Sequence, residues 1–326
     1  VSTMSPGERD GGNLEALRLL AGALQTAGYR FTTVSPESHR RYLQRRAHRA
    51  GANLRDIFGW SLSFAPEDLS SDIRSLAEEA GALTTSGGKL RSRVRFSTLG
   101  DSVYLHSAYP TLEPASVFFG PDTYRFISLI QRELAARPAV RRVVDIGCGS
   151  GAGGLEAIRA LRAMGQFARL EMTDVNPRAL EYATVNARLA GVEDAELRQA
   201  DLFAGLSPGA DLIIANPPYL MDRELRAYRH GGGSLGAGLS QRIVSEGVPM
   251  LAPGGRLVLY TGSVIVGGED LLLASLRPML ERDRLEFRYA ELDPDVFAEE
   301  LDQPGYEGAE RIAVVSLVVE APTEGR

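Results

Sequence analysis

The chain has 326 residues, 44% of them hydrophobic, a formal net charge of -6 and a single cysteine, Cys148. That length and composition suit one large α/β domain with a smaller companion, and one cysteine excludes an internal disulfide and argues against cysteine-based metal sites, so no metal is expected. There is no uninterrupted apolar run of about 18 residues and no basic segment leading into a hydrophobic stretch, so neither a membrane span nor a signal peptide is expected and the expected location is the cytoplasm.

Leu14, Leu17, Leu20, Ala21 and Leu24 recur at three-to-four spacing, which predicts an amphipathic helix from Asn13 to Ala27 ended by Gly28. A second helix is expected from Glu37 to Ala50, with Pro36 near its start, and a third from Pro66 through Leu76 to Ala80, stopped by Gly81. Arg91 to Thr98 alternates basic and apolar residues, and Val103 to His106 follows a Leu99-Gly100-Asp101 turn, predicting a β-hairpin. Helices followed by a hairpin resemble a winged-helix module in element order. His106 to Ser116, with Pro110 and Pro114, has no period and reads as a linker, which gives an N-terminal domain over 1–107 and a second domain over 108–326.

Beyond the linker, strand-like runs at Arg142–Asp145, Arg169–Asp174, Asp211–Ala215 and Arg256–Tyr260 alternate with helix-like segments at Leu155–Met164, Pro177–Ala190 and Leu239–Leu251. This alternation predicts an α/β fold with a doubly wound, mostly parallel sheet. Leu285–Leu292 and Ile312–Val319 follow without a helix between them, as expected of an antiparallel pair closing that sheet.

The first of these strands enters Asp145-Ile146-Gly147-Cys148-Gly149-Ser150-Gly151, a glycine-rich turn of the kind that lets backbone approach a ligand at the carboxyl end of a strand. Gly149 to Gly154 also spells G-x-G-x-x-G, with Asp174 twenty residues on, so a dinucleotide site and an NAD-dependent oxidoreductase stand as an alternative. The strand runs straight into Asp145 and Gly147, which puts the dinucleotide-type glycines two residues late. Cys148, a small residue inside this turn without a neighbouring base, reads as packing rather than as a nucleophile. Asp174 ends the second strand, where a carboxylate can accept from two ribose hydroxyls, or can cap the helix that Asn176-Pro177 opens.

Asn216-Pro217-Pro218-Tyr219 sits at the end of the apolar run Asp211–Ala215. Two prolines cannot continue a ladder, so the chain leaves the sheet rigidly here. An amide or ring-amino nitrogen is a poor nucleophile because its lone pair is delocalised. Two acceptors for its N–H groups favour the pyramidal form, and the Asn216 side-chain oxygen and the Pro217 carbonyl suit that role, with Tyr219 offering a flat face for stacking.

Together these motifs resemble class I S-adenosylmethionine (SAM)-dependent methyltransferases, of the Asn-Pro-Pro-Tyr amino-methyltransferase group that modifies glutamine in release factors or exocyclic amines of adenine and guanine. The resemblance covers roughly Val117 to Val319. It implies a seven-stranded Rossmann-like sheet and SAM as cofactor. It places Gly147, Cys148, Gly149 and Gly151 along the methionine part of SAM and lets Asp145 organise the loop and reach the amino group. Asp174 and Val175 fall at the ribose end, Asp201 and Leu202 near the adenine, and Phe119, within Phe118-Phe119-Gly120-Pro121-Asp122-Thr123-Tyr124, in the segment that closes over the ligand, where aromatics either cover the sulfonium or pack between domains.

Arg223, Arg226, Arg229, His230 and Gly231-Gly232-Gly233 are expected to form a mobile lid after the motif. For the acceptor, glutamine of a protein is the leading expectation, a nucleobase the next, and a small-molecule amine or amide a third. The first hundred residues carry about +4 and the remainder about -10, and Arg40, Arg41, Arg45, Arg46, Arg49, Arg91, Arg93 and Arg95 suggest phosphate contacts through the N-terminal domain, against the plainer reading of a solvated face.

Overall fold

The computed structural model describes residues 13–46, 50–135, 139–222, 226 and 228–323. The chain divides into two compact units, Val1–Pro110 and Thr111–Arg326.

The first unit holds α1 (Leu14–Thr26), α2 (Pro36–Arg45), α3 (Leu54–Phe58), α4 (Ser71–Glu79), β1 (Leu83–Ser86), β2 (Lys89–Ser92), β3 (Val94–Leu99) and β4 (Ser102–Ser107). The Asn13 side chain accepts from the Glu15 and Ala16 amides and caps α1, whose Leu17, Leu20 and Leu24 are buried, as the spacing predicts. Helix α2 stops at Arg45, short of Ala50, and Arg49 lies outside the described residues. Pro66–Asp68 is a separate 3-10 turn, because Leu69 is extended before α4 begins. The strand expected over Arg91 to Thr98 is two strands. The Arg93 amide bonds Ala82 O at 2.8 Å in the register of β1 and β2, and its carbonyl accepts from the Ala108 amide in the register of β3 and β4, so the chain passes here from one hairpin, about Gly87-Gly88, to another, where the winged-helix reading expected one.

The second unit runs α5 (Pro121–Ala135), β5 (Arg142–Ile146), α6 (Ala152–Ala163), β6 (Arg169–Asp174), α7 (Pro177–Leu189), β7 (Glu196–Gln199), β8 (Ala210–Ala215), α8 (Gly238–Gly247), β9 (Leu251–Val266), β10 (Glu269–Asp270), α9 (Leu271–Arg282), β11 (Glu286–Asp293) and β12 (Arg311–Glu320). Strand order is β11-β12-β9-β8-β5-β6-β7, and β10 pairs with β9 off this path, so the sheet has eight strands rather than seven, the extra one only two residues long. From β7 to β9 the strands are parallel, while β12 runs antiparallel to both its neighbours, β9 and β11. The residue pattern accounts for these places. β12 is buried at every position but its two ends and, apart from Ser316, apolar there, as suits a strand flanked on both sides, whereas edge strand β11 is exposed or half-buried throughout. One face of the sheet packs Val144, Ile146, Ile213 and Leu257 against Ile243 of α8 and Leu276 of α9.

After β5 the chain builds β6 and β7 on one side and then returns to lay β8 on the other, which makes the β5/β8 boundary the switch point at which open α/β sheets bind ligands. Register fixes what meets there. Ile146 pairs with Thr173 and with Ala215, and Ala215 pairs with Leu259. One residue further along, Asp174, Gly147, Asn216 and Tyr260 therefore form a single row across the carboxyl rim.

Candidate active site

The glycine loop occupies the middle of this row. Gly147, Gly149 and Gly151 have φ of +65°, +54° and +77°, a conformation that residues with a Cβ adopt only at a cost. A Cβ built at Gly147 or Gly149 meets nothing within 4 Å, so the space in front of the loop is open, a cradle suited to the elongated methionine end of SAM. The loop is held from behind. The Cys148 amide bonds Thr173 O at 2.9 Å, and the Gly149 amide bonds Asp174 Oδ2 at 2.9 Å. Asp174 Oδ1 accepts from the Asn176 amide, while Asn176 itself caps α7, so Asp174 braces the loop rather than the helix.

Asp145 is buried beneath the start of α6, where Oδ2 accepts from the Gly154 amide at 2.8 Å. Burial pushes its carboxyl up to about 7, with the nearby charge of Asp174 adding to the effect and the Gly154 bond opposing it. Burial likewise pushes the Cys148 thiol up, which keeps it protonated, in keeping with a packing role.

Further along the rim, Val175 is unusually exposed for its type, at 51%. Leu202 is buried with φ +49° and its carbonyl accepts from Thr173 Oγ1. The Asp201 carboxylate is exposed and already paired with Arg242 of α8 at 3.0 Å. Phe119 is buried and packs edge-to-face on Tyr124, so in this state it serves packing rather than presenting an aromatic face to a ligand.

Asn216 and Pro218 are half-buried and Pro217 is buried. Tyr219 corrects the expectation of an open stacking face: its side chain is 7% exposed and its ring lies on Gly262 of β9, where a Cβ would stand 2.1 Å from Cδ2. The Tyr219 hydroxyl donates to Asp122 Oδ2 at 2.7 Å, and the Tyr260 hydroxyl donates to Oδ1 of the same carboxylate at 2.9 Å. Burial and the adjacent Asp122 push both phenols up, so they remain donors. Asp122, Tyr260 and Gly262 are absent from the sequence-derived site. Asp122 lies inside the aromatic segment before α5, but nothing local to it points to a partner 97 residues away.

The glycine-rich segment after the motif is not a free lid. The Leu220 amide bonds Arg229 O, the Gly231 amide bonds Leu220 O at 2.9 Å, and the Leu239 amide bonds Gly231 O at 2.7 Å. A Cβ at Gly236 would stand 2.3 Å from Tyr219 O, so this glycine serves close backbone packing on the motif. Arg226 pairs with Asp222 and Arg229 with Glu300. Arg223 lies outside the described residues. His230 is half-buried, and its Nδ1 has no partner among the described residues.

In the first unit most of the arginines are already engaged. Arg40 and Arg41 share Glu37, Arg46 pairs with Asp56, Arg91 donates to the Ser61 and Tyr109 carbonyls, and Arg95 is buried.

Residues 126–277 match the family model described as the methyltransferase small domain. The fold is that of a SAM-dependent methyltransferase. The chain is 35% identical over 152 residues to the release factor glutamine methyltransferase of Deinococcus radiodurans, a match spanning 43% of this chain and 51% of that protein. It is 33% identical over 176 residues to the one from Cereibacter sphaeroides, across 47% of this chain and 61% of the relative. It is also 34% identical over 152 residues to ribosomal RNA small subunit methyltransferase C of Hahella chejuensis, covering 46% and 40%. The chain thus spans about half the length of the curated relatives it matches. It is related, at moderate identity, to the release factor glutamine methyltransferases, which supports the methyltransferase reading over the oxidoreductase alternative. No helix among the described residues is long and apolar enough to cross a membrane.

Proposed function

We propose that the protein transfers the methyl group of SAM to a planar amide nitrogen, the side chain of glutamine in a protein substrate. The observation that carries this reading is the register that sets Asn216 beside Gly147 at the switch point, one residue past the Ile146–Ala215 pairing. When bound, SAM supplies an electrophilic methyl. Gly147, Cys148, Gly149 and Gly151 would line its methionine part, with Asp145 toward the amino group, and Asp174, Val175, Asp201 and Leu202 would follow the nucleoside.

This chain's own groups then prepare the acceptor. The Asn216 side-chain oxygen and the Pro217 carbonyl accept from the two N–H groups of the amide, which turns its lone pair toward the methyl. The residue before a proline is confined to extended conformations, so Pro218 restricts the direction in which the Pro217 carbonyl points. The bond formed is nitrogen to carbon, the bond broken is sulfur to carbon, and the proton leaves to water. In-line positioning supplies the rate.

Glutamine is favoured over a nucleobase because the chain is 35% and 33% identical to two release factor glutamine methyltransferases. The resemblance to a ribosomal RNA methyltransferase keeps the adenine or guanine amine as the second reading.

The test is methyl transfer from radiolabelled SAM to purified release factor and, in parallel, to ribosomal RNA. Label in the protein, removed by replacing its acceptor glutamine, is expected. Label in RNA alone would overturn the glutamine reading. Asn216→Ala is expected to keep SAM affinity in calorimetry and to lose roughly 100-fold or more in turnover, as when an oxyanion-type partner is removed. Full turnover in that variant would remove the mechanism.

A further inference from the structure

The Asn-Pro-Pro-Tyr turn is fixed by a residue that lies outside it. Asp122, the second residue of α5, is buried and accepts the hydroxyls of Tyr219 and Tyr260 on its two oxygens. Arg125, one turn on, approaches Oδ1 at 3.3 Å and reaches Asp293 at the end of β11 at 2.8 Å. One carboxylate therefore ties together the turn after β8, the rim of β9 and, through Arg125, the rim of β11. Tyr260 is level with Asn216 in the rim row, so the anchor brackets the motif from both ends.

The prolines set φ at 217 and 218 but leave ψ of Pro218 free. With the Tyr219 ring held on Gly262 and its hydroxyl held by Asp122, that last freedom is removed. We infer that Asp122 is a positioning residue for methyl transfer, acting through the Tyr219 hydroxyl to hold the Asn216 and Pro217 acceptors where the substrate nitrogen needs them. This rests on the proposed roles of Asn216 and Pro217.

The test compares Asp122→Asn, Tyr219→Phe and the double variant, each nearly isosteric with the parent. With release factor and SAM, each single variant is expected to lose about 10- to 100-fold in kcat while the SAM Kd shifts less than about 2-fold, and the double is expected to be no worse than the weaker single, because both remove one coupling. Additive losses, or a SAM affinity that falls along with kcat, would overturn the inference.

Hydrogen exchange supplies a measurement that needs no substrate. In Asp122→Asn the amides of Leu220 and Gly231, which bond Arg229 O and Leu220 O, are expected to exchange at least about 10-fold faster while those of β5 and β6 keep their rates. Unchanged exchange at Leu220 and Gly231 means that Asp122 does not hold the turn, and acceleration throughout the sheet means a general structural role; either result overturns the inference. If the parent protein labels no release factor, the glutamine reading fails on its own and the exchange pattern alone decides the role of Asp122.

Discussion

The two halves of the rim are held by opposite means. The glycine loop is braced by its own neighbourhood: Thr173 O, Asp174 and the amide of Gly154 all lie within thirty residues of the groups they bond. The Asn-Pro-Pro-Tyr turn is held chiefly by residues farther away in sequence, namely Asp122 under the Tyr219 hydroxyl and Gly262 under its ring. On the proposed reading, the cofactor would be met by a locally braced loop and the acceptor by a turn whose geometry depends on the rest of the fold.

That contrast breaks first at Gly262. Gly262→Ala puts a Cβ 2.1 Å from the Tyr219 ring, so the ring must move. Turnover is expected to fall roughly 100-fold or more, with SAM affinity preserved in calorimetry. Loss of SAM binding in this variant would show that the two halves are not independent.

A smaller effect is expected at Asp145. Its carboxyl is raised to about 7 in the fold, so the folded chain holds a proton that the unfolded chain has already released. The stability this group contributes is full below about pH 4 and is lost as pH rises through about 7, on the order of a few kcal/mol at most. Asp145→Asn keeps an acceptor for the Gly154 amide and removes the charge. Thermal melts should therefore show the variant gaining on the parent between pH 4 and 8. A variant whose margin over the parent did not widen over that range would contradict the assignment. If Asp145 meets the SAM amino group, binding near pH 6 should also release protons, read from calorimetry in two buffers of different ionisation enthalpy.

The smallest effect belongs to Arg242. Its pair with Asp201 is solvent-exposed, and exposed pairs contribute about 0–1 kcal/mol. Arg242→Ala should leave the melting temperature nearly unchanged and move the SAM Kd by about 2-fold or less. A large change in affinity would mean that the pair shapes the nucleoside end of the site.

Strands β5 and β8 were legible in the sequence because each is a short, largely apolar run closed by Gly147 or Asn216 at the rim, and β6 because it falls at the expected strand-helix spacing and ends in Asp174. The long β9 was read only over Arg256–Tyr260, since Thr261-Gly262-Ser263 breaks the apolar pattern. In the fold, Thr261 bonds Ser240, Ser263 bonds Asp270, and Gly262 makes room for Tyr219. The β1–β2 hairpin of the first unit was missed although Gly87-Gly88 is a local two-residue turn signal for it. Gly147, Asp174 and Asn216 were legible because strand ends and special residues coincide. The Asp122–Tyr219–Tyr260 contacts were not, because a buried carboxylate chooses its partners only once the sheet has assembled.

The reversed strand β12 also dictates a timetable. It inserts between β9 and β11, both made earlier, so Arg256 to Ile265 of β9 remain a sheet edge until the chain has been synthesised past Glu320. At the pace of translation that interval is on the order of seconds, during which the strand carrying Tyr260 and Gly262 offers unpaired backbone to any neighbouring chain. The rim segment that carries Tyr260 and Gly262 is thus among the last parts of the nascent protein to be secured, and chaperone demand should be greatest in that window.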